Sequence, residues 1–250
     1  MLEGPWFLAM RGLVDLHCHW VASVDDGART VDEGRDMLAG LHALGFDAVV
    51  ATPHMRPGLF DNDKAGLVRA FESMRRALPD GHPNLPVLHL ACEHFFDDVV
   101  FQRLLAGEGL PYPGGGIALV EFAPIAFPLN VHCRFFDLRR AGIAPMLAHP
   151  ERYAPVWKDP TCLEPCLDAG AILLLDICAL VGKYGHASQR AAEALLERQA
   201  YEAGCTDSHR PRDLPEVERA IARLTALVGA EESERLLGEA PRELLNLPKG

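Results

Sequence analysis

The stretch Gly12-Leu13-Val14-Asp15-Leu16-His17-Cys18-His19 decides the fold. A short apolar run ends here in two histidines, and in an extended chain residues two apart share a face. His17 and His19 therefore turn toward one point while Cys18 turns away. Working outward, the same device recurs: an apolar run, a ligand-type residue at its end, then a segment of helical period. Strands are expected at 12–16, 47–52, 86–92, 117–122, 143–148, 171–176 and 201–206. Between the first two, residues 30–45 read as a helix, with Thr30 and Glu33 in capping-box register, Met37, Leu41 and Leu44 on one face, and Gly45 as the stop. Segments 62–78, 130–142, 161–170 and 188–204 repeat the theme, and Val217, Ile221, Leu224 and Val228 mark a near-terminal helix. Strand–helix alternation implies a parallel sheet. Seven such units without a Ser/Gly-rich linker imply an α/β chain of one domain, residues 1–250, folded as one closed or nearly closed barrel. Functional side chains then belong at the C-terminal ends of the strands.

Composition narrows the function. A chain of 250 residues that is 49% hydrophobic and 24% charged is neither disordered nor a small disulfide scaffold. Its 35 acidic against 24 basic residues give a net charge of −11, so it lacks the basic face that a nucleic-acid partner needs. The apolar segment 6–10 has no basic lead-in and is not a signal peptide. The longest apolar stretch, 169–182, is broken by Asp176 and falls short of the roughly 20 residues that span a bilayer. A cytoplasmic protein without membrane insertion is expected. The seven cysteines form no Cys-x-x-Cys pair and read as reduced, mostly buried thiols.

Six of the seven expected strands end in a residue that can hold a metal: His17 and His19, His54, Glu93, Glu121, His149, and Asp207 with His209. Asp25 and Asp26 follow in the loop after the first strand. A lone His-x-His is weak evidence, because structural histidines are common. Solvated strand ends and helix caps explain one or two of these residues but not the set.

Together with their flanks, these residues resemble a known family. The segments Asp15-Leu-His-Cys-His19, Asp25-Asp-Gly-Ala-Arg29, Ala51-Thr-Pro-His-Met-Arg-Pro-Gly-Leu-Phe60, Cys92-Glu-His-Phe-Phe-Asp-Asp98, Leu110-Pro-Tyr-Pro-Gly-Gly115, Val120-Glu-Phe122, Ala148-His-Pro-Glu-Arg-Tyr153, Val181-Gly-Lys-Tyr-Gly185 and Thr206-Asp-Ser-His209 stand in the order seen in the polymerase and histidinol phosphatase (PHP) superfamily. Within it they are most similar to the bacterial manganese-dependent protein-tyrosine phosphatases of capsule and exopolysaccharide systems. The resemblance implies a distorted TIM-like (β/α)7 barrel with a trinuclear centre: one ion on His17, His19, Glu93 and Asp207, a second on Glu93, Glu121 and His149, a third on Asp26, His54 and His209, with Glu93 bridging. Imidazole and carboxylate ligands suit manganese, with iron or zinc as alternatives. Three divalent ions bring about +6 against −4 from the carboxylates, a surplus of about +2 that a phosphate dianion would neutralise. A hydroxide held between the ions would attack phosphorus in line, without a covalent phospho-enzyme.

The same resemblance implies that Arg152, three residues after His149, holds phosphoryl oxygens. Arg56, two after His54, is a second candidate, and Arg210 or Arg212, in a loop shorter than the family's, a third. The implied activity is hydrolysis of phosphotyrosine on a protein partner, a bacterial tyrosine kinase that controls polysaccharide export. A PHP phosphoesterase of the histidinol-phosphate type and a catalytically silent metal-binding PHP domain are the alternatives, and the oligomeric state stays open. Asp176 stands where the family more often has Asn, and Lys183 and Tyr184 match a family loop near the mouth.

One segment competes with this reading. His132 to Arg139 fits the His-Cys-x5-Arg signature of cysteine-dependent tyrosine phosphatases. That chemistry needs a loop of small residues whose backbone N–H groups cradle phosphate, whereas this segment holds two Phe and Asp137. Val131, Phe135 and Leu138 fall at helical spacing, so it reads as a helix with Cys133 an incidental thiol. His94 and His132 are left out of the site, and His42, His82, His89 and His186 read as structural.

Overall fold

The computed structural model describes residues 11–78, 84–114 and 116–248; the apolar segment 6–10 and His82 lie outside the described residues. Nine strands run through it: β1 (Leu13–Cys18), β2 (Phe46–Ala51), β3 (His54–Met55), β4 (Val87–Leu90), β5 (Glu93–Phe95), β6 (Ile117–Glu121), β7 (Ala144–Ala148), β8 (Ile172–Asp176) and β9 (Ala203–Cys205). All seven expected strands are present. The two additions, β3 and β5, directly follow β2 and β4, and Pro53, which has no N–H to give a ladder, separates β2 from β3.

Every ladder is parallel, as expected, but the ladders do not form one closed ring. They make a three-stranded sheet, β1-β2-β4, and a six-stranded sheet, β3-β5-β6-β7-β8-β9. At one seam the sheets are linked by the chain itself, since β2 runs on into β3 and β4 into β5, with the pairing carried across the break by Ala91 N to Ala51 O at 2.8 Å and Glu93 N to Pro53 O at 3.2 Å; at the other, backbone hydrogen bonds join them, Asp207 N donating to His17 O and His19 N to Ser208 O, both at 2.9 Å.

Helices cover the outside. In α1 (Val31–Ala43) the Thr30 hydroxyl accepts from Glu33 N, as the capping box requires, but the reciprocal half is missing because the Glu33 carboxylate turns to the backbone N–H and guanidinium of Arg29. Gly45 then leaves the helix at φ +104°, a conformation open to glycine. α2 (Lys64–Ala77) is capped by Asp63, and α3 (Asp98–Leu105), which the sequence pattern did not reveal, by Asp97. In α4 (Val131–Arg140) Val131, Phe135 and Leu138 are buried and Cys133 is exposed, so the competing phosphatase signature lies on an ordinary helix. The helix expected at 161–170 is instead a 3-10 turn, Pro160–Leu163, followed by α6 (Glu164–Asp168), with α5 (Ala154–Lys158) just before; Pro160 opens the turn and Pro165 stands second in α6, in the first turn where proline is tolerated. α7 (His186–Glu197) and α8 (Leu214–Val228) complete the outer layer, and α9 (Ala230–Glu234) and α10 (Ala240–Leu244) end the chain.

Two apolar clusters hold this frame. The larger packs helices on strands around Trp20, Phe96, Phe122 and Phe135. The smaller fills the space enclosed by the strands with Val14, Leu16, Val50, Leu119, Met146 and Leu174, and Ala240 and Leu245 join it from the chain's end. All seven cysteines are free thiols, five of them buried. Among the described residues no helix is long and apolar enough to cross a membrane.

Candidate metal centre

The carboxyl ends of the strands deliver the site. His17 comes from β1 with His19 just beyond it, and His54, Glu93 and Glu121 lie on β3, β5 and β6; His149 follows β7, Asp207 and His209 follow β9, and Asp26 sits in the loop after β1. All nine converge. His17 Nε2 and His19 Nε2 stand 3.0 Å apart, as the two-residue period requires, while the Cys18 thiol points to Ser208 O. The Glu93 carboxylate is central: it lies 3.1 Å from His17 Nε2, 3.4 Å from His19 Nε2, 3.1 Å from His54 Nδ1 and 2.9 Å from His149 Nε2. Asp207 Oδ1 lies 3.2 Å from His17 Nε2 and 3.3 Å from His19 Nε2, and Asp26 Oδ1 is 3.4 Å from His54 and 3.5 Å from His209.

Four overlapping groups of ligand atoms result: His19, Asp26, His54 and His209; His17, His149 and Asp207; His17, His19 and Glu93; and His54, Glu93 and Glu121. The division differs from the one the resemblance implies. Glu121 approaches His54, at 3.3 Å, and His149 shares a group with His17 and Asp207.

The donor set fits divalent cations. His54 Nδ1, Glu121 Oε1 and Asp207 Oδ1, all turned into the cluster, are buried without a well-formed hydrogen bond, an arrangement that is costly unless a further group satisfies it. The charges agree. Burial disfavours a charged imidazole at His54, yet the Glu93 carboxylate and the close approach of Asp26 and Glu121 overcome it and lift the group to about 10. His17 and His19 are likewise raised against their burial, by Glu93 and Asp207 for the first and by Asp25 for the second. Glu93 and Asp207 are held well below the carboxylate range by neighbouring histidines, despite burial. Positive charge is thus favoured at the centre of an acidic protein. His149 and Asp207 also adopt left-handed backbone, φ +37° and +44°, which non-glycine residues seldom do.

The arginines divide. Arg152 forms a short ion pair with Asp207, lies 3.6 Å from Asp176 Oδ2, and covers the ring of Tyr184 at 4.2 Å. Arg56 covers Phe95 at 4.1 Å and acts electrostatically on Glu121. Arg210 turns toward Glu33 on α1, 3.8 Å away, and Arg212 is exposed on the turn Pro211–Asp213. His94 is structural: Nδ1 donates to Leu119 O, Nε2 accepts from Leu110 N, and burial pushes the ring down to about 4.

Three supporting residues escaped the sequence reading. Asp25 accepts from His19 Nδ1 at 2.9 Å, which leaves Nε2 free for a cation, and also from the backbone N–H groups of His54 and Gly27. Asp15 accepts from the Thr206 hydroxyl and backbone, tying β1 to the segment that carries Asp207. Its signal was available, because the two-residue period joining His17 to His19 includes it. Glu151 is buried under Asp176, accepting from Asp176 N and the Tyr201 hydroxyl, and no periodicity announces it.

Residues 13–246 match the family described as capsular polysaccharide synthesis, CpsB/CapC. The chain belongs to that family. Among CpsB/CapC relatives, tyrosine-protein phosphatase YwqE of Bacillus subtilis is 26% identical over 197 residues, 79% of this chain and 77% of that one. Tyrosine-protein phosphatase CpsB of Streptococcus pneumoniae is 23% identical over 242 residues, 93% of this chain and 98% of the other. A solved structure from work on YwqE and CpsB, described as unique metal-dependent tyrosine phosphatases, superimposes with a TM-score of 0.84 at 24% identity, covering 95% of this chain and 96% of that one.

Proposed function

We propose that this member of the CpsB/CapC family is a metal-dependent protein-tyrosine phosphatase, a phosphoric monoester hydrolase acting on phosphotyrosine in a protein. The observation that carries the reading is the convergence of His17, His19, Asp26, His54, Glu93, Glu121, His149, Asp207 and His209 in one pocket, with Arg152 beside them. Divalent ions held there, three by our reading and manganese first, supply Lewis acidity and lower the pKa of water. The chain's own residues do the rest. Arg152, whose planar fork matches phosphoryl oxygens, holds the phosphate, with Arg56 as a second contact and Arg210 or Arg212 as a third. Asp25 fixes the tautomer of His19, and burial of Glu93, Glu121 and Asp207 keeps bulk water from the inner side of the site, which opens to solvent at Asp26.

The finer parts belong to the same proposal. The two sheets are parts of one distorted (β/α)7 barrel, a reading supported by the run of β2 into β3 and β4 into β5 at one seam and by the hydrogen bonds of Asp207 and His19 at the other, and the chain is one domain over residues 1–250. The substrate is a bacterial tyrosine kinase of polysaccharide synthesis. Seven free thiols support a reducing, cytoplasmic location.

The test is hydrolysis of p-nitrophenyl phosphate and a phosphotyrosine peptide by chelator-treated protein with Mn, Fe or Zn restored. His54→Ala should abolish activity and Cys133→Ser should leave it unchanged. Loss with Cys133→Ser together with activity in chelator would overturn the metal reading.

A further inference from the structure

We infer that the loop between β6 and α4 is a docking lip for the substrate chain, and that it selects phosphotyrosine segments carrying an apolar side chain close to the phosphorylated residue. The inference rests on the phosphatase reading above and deepens it. Ile125 and Leu129 are 82% and 87% exposed, more than any other large hydrophobic residue among those described. Both lie on the one loop that leaves the Glu121 end of the site. Apolar side chains held this far into water mark an interaction surface when they are grouped and fixed rather than scattered.

The loop is fixed. Midway between the two, Phe127 turns inward and packs on Phe122 at 5.2 Å and edge-on against Tyr153 at 5.8 Å. Tyr153 stands 5.9 Å from His149 and donates its hydroxyl proton to Ala148 O. Pro124 O accepts from Ala154 N at 2.7 Å, and Pro124 and Pro128 restrict the backbone on either side. One aromatic anchor thus seats the loop in the wall of the metal site and leaves Ile125 and Leu129 outside.

Across the same corner, His54 Nδ1 lies 3.3 Å from Glu121 Oε1, and the hairpin Arg56–Phe60 that follows His54 carries Leu59, 61% exposed at its tip. The Phe60 ring stacks on His54 at 5.2 Å and 8°. An aryl phosphate in the pocket therefore meets an aromatic wall, and a chain continuing out of it meets leucine or isoleucine. Ile125 is four residues beyond Glu121, a reach of at most about 14 Å, which an extended peptide covers in about four residues. The partner is accordingly an extended segment with a large aliphatic side chain two to four residues from the phosphotyrosine.

The test uses nine-residue peptides with leucine or serine three positions to each side of a central phosphotyrosine, and metal-loaded full-length protein. The leucine peptide should show a KM five- to tenfold lower at unchanged kcat. The double change Ile125→Ser, Leu129→Ser should erase that preference while hydrolysis of p-nitrophenyl phosphate, too small to reach the lip, stays at the wild-type rate. Binding of the same peptides with a non-hydrolysable difluorophosphonate, read by fluorescence anisotropy, decides the matter even if no peptide is turned over. Equal affinity for the two peptides, or a preference that survives the double change, overturns the inference. So does sedimentation showing that the lip pairs two copies of the chain, or co-sedimentation with phosphatidylglycerol vesicles, if the double change abolishes it and peptide selection is absent. Failure on p-nitrophenyl phosphate with peptide preference intact in the binding assay counts against the phosphatase reading instead.

Discussion

Replacing Asp25 by asparagine isolates the orienting role of a carboxylate that is not itself one of the nine converging residues. Asp25 Oδ2 accepts from His19 Nδ1 at 2.9 Å and from His54 N at 3.0 Å, and Oδ1 accepts from Gly27 N at 2.8 Å. Asparagine keeps the shape but exchanges one acceptor for a donor. If the NH2 replaces Oδ2, it faces two N–H groups, and relief comes only when His19 moves its proton to Nε2, the atom that faces His17, Glu93 and Asp207. If it replaces Oδ1, it opposes the Gly27 N–H and loosens the turn that presents Asp26. Outer partners of ligating histidines are worth about 10- to 100-fold in metal affinity, or about 1.4 to 2.8 kcal/mol. The assay is titration of chelator-stripped Asp25→Asn with Mn2+, by calorimetry or against an indicator dye, which needs no catalysis. Asp61→Asn, which alters an exposed turn where Asp61 accepts from Gly58 N, is the control. Affinity within twofold of wild type in Asp25→Asn would refute the orienting role.

Two further outcomes follow from packing and from charge. A Cβ on Gly34 would lie 2.3 Å from Trp20 O, so Gly34→Ala should lower stability by about 1–3 kcal/mol through overpacking, although alanine in an open helix would raise it by about 1 kcal/mol; a higher denaturation midpoint would mean that α1 does not sit as described. Burial, and then Asp176, push the buried Glu151 carboxyl up to about 8 from about 4.5 in the unfolded chain. Between those values the folded protein keeps a proton that the unfolded chain has lost, so this group's contribution is complete below about pH 4.5 and lost as pH rises through about 8. Glu151→Gln cannot ionise and should flatten the alkaline fall in stability of metal-free protein; parallel pH curves for the two proteins would exclude Glu151 as the cause.

What the sequence reveals follows the length of each signal. Seven strands are legible because each lies in a longer apolar run, and six of those runs lead to a ligand-type residue. β3 and β5, of two and three residues, continue β2 and β4 past a short break and show no period of their own. α3 hides because Val99, Val100 and Phe101 look like strand residues, and its cap, Asp97, is recognisable only once the Val100 N–H is seen to need it. The nine converging residues are legible because each occupies a strand end or the first loop. Their grouping is not, since it depends on distances across the pocket: His54, from β3, meets Glu93 and Glu121 as well as Asp26. In the pair Asp25-Asp26 sequence alone does not say which carboxylate faces the pocket and which supports it.

At two of the converging residues the backbone is held by hydrogen bonds of the fold itself. His149 and Asp207 each carry left-handed backbone strain of about 1–3 kcal/mol, and such strain persists only where surrounding bonds over-determine it. Those bonds are present: His149 N donates to Leu174 O and Asp207 N to His17 O, both at 2.9 Å, and the Asp15 carboxylate grips Thr206, the residue before Asp207. Each strained residue is therefore clamped by the neighbouring strand rather than by the cluster it serves. The backbone therefore aims these side chains inward through bonds of its own, and a cation held by His17, His19 and His54 would supply the positive charge that the surrounding carboxylates already favour there.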